Sequence, residues 1–252
     1  MISLTECLSY LETVLEPGKF QDYCPNGLQV AGREHIKTLV TGVTASQELL
    51  DAALDLEADT ILVHHGYFWR GEDPRVIGIK QRRLKQLLLH DINLIAYHLP
   101  LDAHPVVGNN AQLAKLLEIE VQGSIQGTGD SNIVLYGCLK SPVAAVDFAD
   151  KISQTLQRSP LLIEGHERPI KSIGWCSGAA QGYIEQAAEL GLDAFISGEI
   201  SEQTVHLARE LGIHYFAAGH HATERYGVKA LGEHLAEKFD VQHHFIDIDN
   251  PV

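Results

Sequence analysis

Residues 60–66 read Thr60-Ile61-Leu62-Val63-His64-His65-Gly66, a β-branched and apolar run closed by two histidines and a glycine. A short unbroken run of this kind suits a strand buried on both faces, and Gly66 marks where the chain turns away. Upstream, residues 39–43 form a second such run, and Thr44 with Gln47 three later predicts a capped helix through Leu56. The pattern recurs 134 residues later: a strand opens at Ile170-Lys171-Ser172-Ile173, a helix fills 181–190, and Asp193-Ala194-Phe195-Ile196 forms a strand ending in Ser197-Gly198-Glu199. Seven of the thirty aligned pairs are identical: Ile36/Ile170, Lys37/Lys171, Ala45/Ala179, Gln47/Gln181, Ala53/Ala187, Leu56/Leu190 and Asp59/Asp193.

Beyond this core the parallel is looser. Asn93-Leu94-Ile95-Ala96-Tyr97-His98 and His214-Tyr215-Phe216-Ala217-Ala218-Gly219-His220 are both apolar strands ending in histidine, followed by helices over 110–117 and 224–239. The expectation is an α/β protein of two similar halves, each with a mostly parallel sheet flanked by helices, related by an internal duplication. Ser3 with Glu6 forms a capping box ahead of an apolar face of Leu8, Leu11 and Leu15. Pro25-Asn26-Gly27 reads as a turn into a short strand at 28–30. Residues 123–130, rich in Gly, Ser and Thr, place a boundary near 125, giving halves 1–125 and 126–252, with the C-terminal part free to pack back on the first. A strand follows at 133–139, and Ser141-Pro142 predicts the start of a helix reaching 156.

Composition excludes several classes. With 252 residues, 45% hydrophobic and 21% charged, the chain is of ordinary globular type. Its 19 Lys plus Arg against 33 Asp plus Glu give a net charge of −14, which repels phosphate backbones and makes nucleic acid an unexpected partner. The four cysteines are far apart with no CxxC spacing, as expected of a cytoplasmic protein. The start lacks the pattern of a signal peptide, and the longest apolar run, 92–101, is interrupted by Asn93 and His98, so no membrane span is expected. The 14 histidines are the anomaly.

Ligands of α/β sheets gather beyond the carboxyl ends of the strands. Three predicted strand ends carry metal-type residues: His64-His65, His98-Leu99-Pro100-Leu101-Asp102, and His220-His221-Ala222-Thr223-Glu224. His220 and Glu224, four apart, project from one side if a helix begins between them. Two or three imidazoles and two carboxylates exceed a usual tetrahedral zinc and suit two metals sharing a bridging group. In the His98–Asp102 segment either end can be the ligand, and an orienting role for His98 is equally open. His104, His214, His221, His243 and His244 are assigned no functional role. Glu199 aligns with His65 under the repeat, which makes it a candidate substrate contact or proton shuttle, against the plainer reading of a surface carboxylate. No GxGxxG, Walker A or GxSxG motif is present.

These motifs, with Pro25-Asn26-Gly27-Leu28-Gln29, resemble the GTP cyclohydrolase 1 type 2 homologue family, dinuclear-metal proteins related to the NGG-interacting factor, over nearly the whole chain. Many relatives carry proline where this chain has Gly66. The resemblance implies His65 and Asp102 on one divalent cation, His64 and His220 on the other, and Glu224 bridging. It also implies a two-part α/β fold and a ring-shaped homohexamer. The function so implied is a metal-dependent hydrolase of a nucleotide or related heterocycle, opening a ring as a cyclohydrolase does, with Glu224, His98 and Glu199 as candidate catalytic residues. The other reading is a metal-binding or metal-delivery scaffold without catalysis. Zn, Mn, Fe and Ni all suit such ligands.

Overall fold

The computed structural model of the chain describes residues 1–125 and 133–252. In chain order, β1 (Ile2–Ser3), α1 (Leu4–Leu15), β2 (Gly27–Val30), β3 (His35–Ile36), β4 (Thr38–Thr44), α2 (Gln47–Asp55), β5 (Thr60–His65), α3 (Gly78–Leu89), β6 (Asn93–Ala96) and α4 (Leu99–Ala103) come first. They are followed by α5 (Asn109–Leu117), β7 (Glu120–Ser124), β8 (Leu135–Val143), α6 (Ala145–Leu156), β9 (Leu161–Ile163) and β10 (Ile170–Trp175). The rest are α7 (Ile184–Glu189), β11 (Ala194–Ser197), α8 (Glu202–Leu211), β12 (His214–Ala217), α9 (His220–Phe239) and β13 (Gln242–Phe245).

Two compact units divide the chain: residues 1–108 with 227–249, and residues 109–226 with 250–252. This division falls at Gly108, whereas the sequence places a boundary near 125. The Gly/Ser/Thr-rich segment behind that expectation lies largely in residues 126–132, outside the described residues.

The first unit holds a sheet of order β13-β4-β5-β6-β2, parallel except for β2. Leu39, Val43, Leu62 and Ile95 join the apolar cluster on one face, while Val40, Ile61, Val63, Leu94 and Ala96 join the one on the other. That two-sided burial is why β4 to β6 read as continuous apolar runs and not as alternating ones. Ser3 caps α1 by accepting the Glu6 N–H, and Cys7, Leu11 and Leu15 are its buried residues. Helix α2 starts later than predicted. Thr44 still pairs with His65 in the sheet, and Ser46 is the cap, accepting from Leu49 N–H.

The second unit's sheet, β7-β8-β10-β11-β12-β9, corrects the expectation of mostly parallel strands. Among the described residues its parallel pairs are β10–β11 and β11–β12, while β7–β8, β8–β10 and β9–β12 pair antiparallel. Ser141 and Pro142 do not open a helix. They lie in β8 where its register against β10 slips between Cys138 and Val143, an irregularity that tolerates a residue without an N–H. Helix α6 begins at Ala145.

The aligned aspartates do the same local work in both units. Asp59 Oδ2 accepts Lys37 N–H at 2.8 Å and Thr38 N–H at 2.9 Å, and Asp193 Oδ2 accepts Lys171 N–H at 3.0 Å and Ser172 N–H at 2.9 Å. Each carboxylate thereby ties the start of one strand to the turn before the next. Asp59→Ala strands two backbone donors and the Arg33 guanidinium 2.7 Å away, at an expected cost of about 1–3 kcal/mol, read as a lower urea midpoint at unchanged slope.

His243 on β13 supplies a pH lever. Its Nε2 lies 2.8 Å from Thr41 Oγ1, and burial, with His244 and Lys229 nearby, pushes it down from 6.5 to about 4. The unfolded chain takes up this proton near 6.5 and the folded chain only near 4, so its contribution is whole above 6.5 and is lost as pH falls through that window. The loss is on the order of 2–3 kcal/mol. His104 and His214, also lowered by burial, add to the same slope. Urea midpoints measured across the window should therefore fall with acid, and His243→Gln should make that fall shallower.

No helix of the described residues is long and apolar enough to cross a membrane.

Candidate metal centre

In the first unit, parallel pairing of β4, β5 and β6 aligns their carboxyl ends, and β5 delivers His64 and His65 there. His64 is fully buried, and its Nδ1 donates to the carbonyl of Tyr97 at 3.0 Å. A carbonyl only accepts, so the neutral ring carries its proton on Nδ1 and its unprotonated Nε2 lies 3.5 Å from Asp102 Oδ1. His65 Nδ1 sits 3.3 Å from the hydroxyl of Thr44, its register partner. Asp102 is buried in the single turn of α4, where its N–H bonds back to His98 O at 3.2 Å.

His98 completes this cluster. Its ring centroid is 5.0 Å from that of His64 and 5.6 Å from that of His65, and one donor nitrogen from each of the three lies within 4.8 Å of the others. The sequence reads the segment behind it as a turn into a short strand and gives Asp22 no role. Asp22 Oδ1 accepts from His98 Nδ1 at 2.7 Å, and Asp22 Oδ2 accepts Leu99 N–H at 2.9 Å. Asn26 Oδ1 accepts His98 N–H at 2.8 Å. Gln29 holds the other loop, accepting Tyr67 N–H at 2.7 Å and donating to Tyr67 O at 3.1 Å. Burial alone would raise the Asp22 carboxyl, but His98 and the amide donors outweigh it and hold it at about 2. The polar spacing 22, 26, 29 beside the Pro-Asn-Gly turn was the available signal.

In the second unit the carboxyl ends of β10, β11 and β12 meet in the same way. Helix α9 begins at His220 itself, so His220 and Glu224 share one face, with Nε2 3.2 Å from Glu224 Oε2. Glu199, following β11, sits on the other nitrogen, Nδ1, at 2.8 Å. Burial lowers the His220 imidazole, but the carboxylates of Glu224 and Glu199 overcome this and push it up to about 9. The Ser177-Gly178 turn after β10 closes on the pair: Gly178 N–H donates to Thr223 Oγ1 and Gly178 O accepts from Ser197 Oγ, both at 3.0 Å. Gly178 has φ +60°, and a Cβ there would collide with Glu224 Oε1.

These donors fit divalent cations. His64, His98 and His220 each have Nδ1 on a group that can only accept, so Nε2 is the nitrogen each can turn toward a cation. The set is imidazole and carboxylate, suited to Zn, Mn, Fe or Ni. Cys24, which comes together with Asp22 and His98, adds no thiolate: burial and the Asp22 charge push its thiol up to about 12. His221, given no role, offers its N–H to the carbonyl of Val252 at 3.0 Å.

Comparison with known proteins adds a family. The family model described as Duf34/NIF3 (NGG1p interacting factor 3) matches residues 2–251. A Pseudomonas aeruginosa protein named GTP cyclohydrolase 1 type 2 homolog is 56% identical over 250 residues, covering 99% of each chain. One of the same name from Yersinia pestis is 58% identical over 247 residues, 96% of this chain and 98% of that one. Among solved structures, protein ybgI, described as of unknown function, superposes with a TM-score of 0.96 at 50% identity over 100% of both chains.

Proposed function

The chain belongs to the Duf34/NIF3 family, and on that footing we propose that it is a dinuclear divalent-cation protein that hydrolyses a nucleotide or related heterocycle. The residues that would hold the cations are His64, His65 and Asp102 in the first unit and His220 and Glu224 in the second. The observation that carries the reading is the orientation of the imidazoles. His64 and His220 are each held at Nδ1 by an acceptor and each have a carboxylate within 3.5 Å of Nε2. Cations held there supply Lewis acidity and acidify water near neutral pH.

The chain's own residues would do the rest. Glu199 would hold the proton on His220 Nδ1, and His98 would serve as proton acceptor beside His64 and His65. A heterocycle is supported by the aromatic wall next to His98. Trp69 stands edge-on to it at 5.0 Å, and Tyr23, with the Arg70 guanidinium 5.8 Å over its ring, lies 6.4 Å from it, offering aromatic surface to a ring. A cytoplasmic homohexamer and an internal duplication, the latter supported by the matching roles of Asp59 and Asp193, belong to the same proposal.

The test is formate release and ring opening by the full chain loaded in turn with Zn, Mn, Fe and Ni, against a nucleotide panel that includes GTP. Turnover that disappears in Glu224→Gln is the expected result. Full cation loading with no turnover across the panel would overturn the hydrolase and leave a metal-binding scaffold.

A further inference from the structure

We infer that Asp22 is a positioning residue: it commits His98 to the Nδ1–H tautomer and so keeps a bare Nε2 acceptor beside the His64–His65 pair. The use of that acceptor rests on the proposed function. The tautomer does not, being a property of the cation-free chain.

The Asp22 side chain is 4% exposed and meets only donors. Oδ1 accepts from His98 Nδ1 at 2.7 Å and Tyr23 N–H at 2.6 Å, and Oδ2 accepts from Asn26 Nδ2 and Leu99 N–H, both at 2.9 Å. A carboxylate that takes four N–H bonds has no proton to offer, so the hydrogen in the bond to His98 belongs to the imidazole. The neutral ring then has one place left for its lone pair, Nε2. Asn26 fits only one way round: its oxygen takes the His98 N–H at 2.8 Å and its nitrogen gives to Asp22. That arrangement pins the backbone that carries the ring.

The ring is also confined. The Trp69 indole stands edge-on to it, 83° between planes, and is itself tied by Nε1–H to Gly66 O at 3.1 Å. Turning the imidazole over would put a carbon where Nδ1 meets Asp22 and break a charge-assisted bond in a buried site, an arrangement disfavoured by the full cost of stranding that carboxylate oxygen. What the site gains is a hydrogen-bond acceptor among side chains otherwise turned toward a cation. An N–H or O–H of a bound molecule can donate to it, and with the inverted tautomer it would meet another donor instead.

The experiment is nitrogen-15 NMR of the histidine side chains in the cation-free full chain, with His98 assigned by its disappearance in His98→Ala. The wild type is expected to show His98 protonated at Nδ1 and bare at Nε2, and Asp22→Ala to move protonation to Nε2. Asn26→Ala, which keeps the carboxylate, is expected to retain the Nδ1–H form, and it decides the matter if Asp22→Ala does not fold. A wild-type proton on Nε2, an unchanged tautomer in Asp22→Ala, or a lost one in Asn26→Ala overturns the inference. If the chain turns over a nucleotide, Asp22→Ala should lose roughly 10²-fold in kcat. That loss should vanish in a His98→Ala background, and additive losses would count against action through His98. Absence of any turnover bears on the proposed function alone, because the NMR reading needs neither cation nor substrate.

Discussion

His64→Ala is expected to take the purified protein from about two divalent cations per chain toward about one, by elemental analysis after dialysis. His64 is fully buried and its Nδ1 is committed to Tyr97 O, so its Nε2 is the nitrogen whose loss the substitution reads. Losing the outer partner of a ligand already costs 10–100-fold in affinity, and losing the ligand itself should cost on the order of 10²-fold or more. The substitution also leaves the Tyr97 carbonyl without this donor and opens a cavity, a separate destabilisation of about 2–4 kcal/mol. The two effects separate in thermal unfolding with and without cation. Ligand in 100-fold excess over Kd stabilises by about 2.7 kcal/mol, and it is this increment, over and above the lower baseline, that the variant should largely lose. A full increment in His64→Ala would remove His64 from the proposed ligand set.

How much of this was legible beforehand follows from the range over which each residue acts. The strands β4, β5 and β6 were readable because burial on both faces writes itself into consecutive apolar residues, and their ends were readable because His64, His65 and His98 interrupt those runs. The antiparallel margins of the second sheet were not. Strand direction is settled by which neighbour a segment meets, and β9 pairs with β12 across some fifty positions of sequence, Ile163 against Tyr215. Pro142 misled for a related reason, since a proline that starts a helix and one that sits in a strand irregularity look alike until the partner strand is known. Asp22 is the extreme case. Its meaning lies in His98, which is 76 residues away, and a turn with a preceding aspartate has many local explanations. Glu199, which the repeat aligned with His65, instead reaches the ring of His220. Alignment could place it at a strand end but not choose its partner.

Gly178→Ala should lower cation affinity by a comparable factor although residue 178 offers no ligand. Its φ of +60° costs an alanine about 1–2 kcal/mol, well within the stability of a typical domain, so the variant should fold. The added methyl would collide with Glu224 Oε1 and come within 3.2 Å of His220 Nε2. The turn cannot withdraw easily. Gly178 N–H is held by Thr223 Oγ1 at 3.0 Å, and Gly178 O accepts from Ser197 Oγ at 3.0 Å and from Gly198 N–H at 2.8 Å. Glu224, 3% exposed, has little room of its own. Something must still move, and the side chain is softer than a backbone held at both ends, so the carboxylate leaves the position it needs on its cation. Gly182→Ala is the internal comparison, because a Cβ there meets nothing within 4 Å. Calorimetric cation titrations should therefore show roughly a 10²-fold weaker Kd for Gly178→Ala and an unchanged one for Gly182→Ala. Equal affinities in the two variants would mean that cation binding does not depend on the position of the Glu224 carboxylate set by the empty space at Gly178, and would count against Glu224 as a ligand.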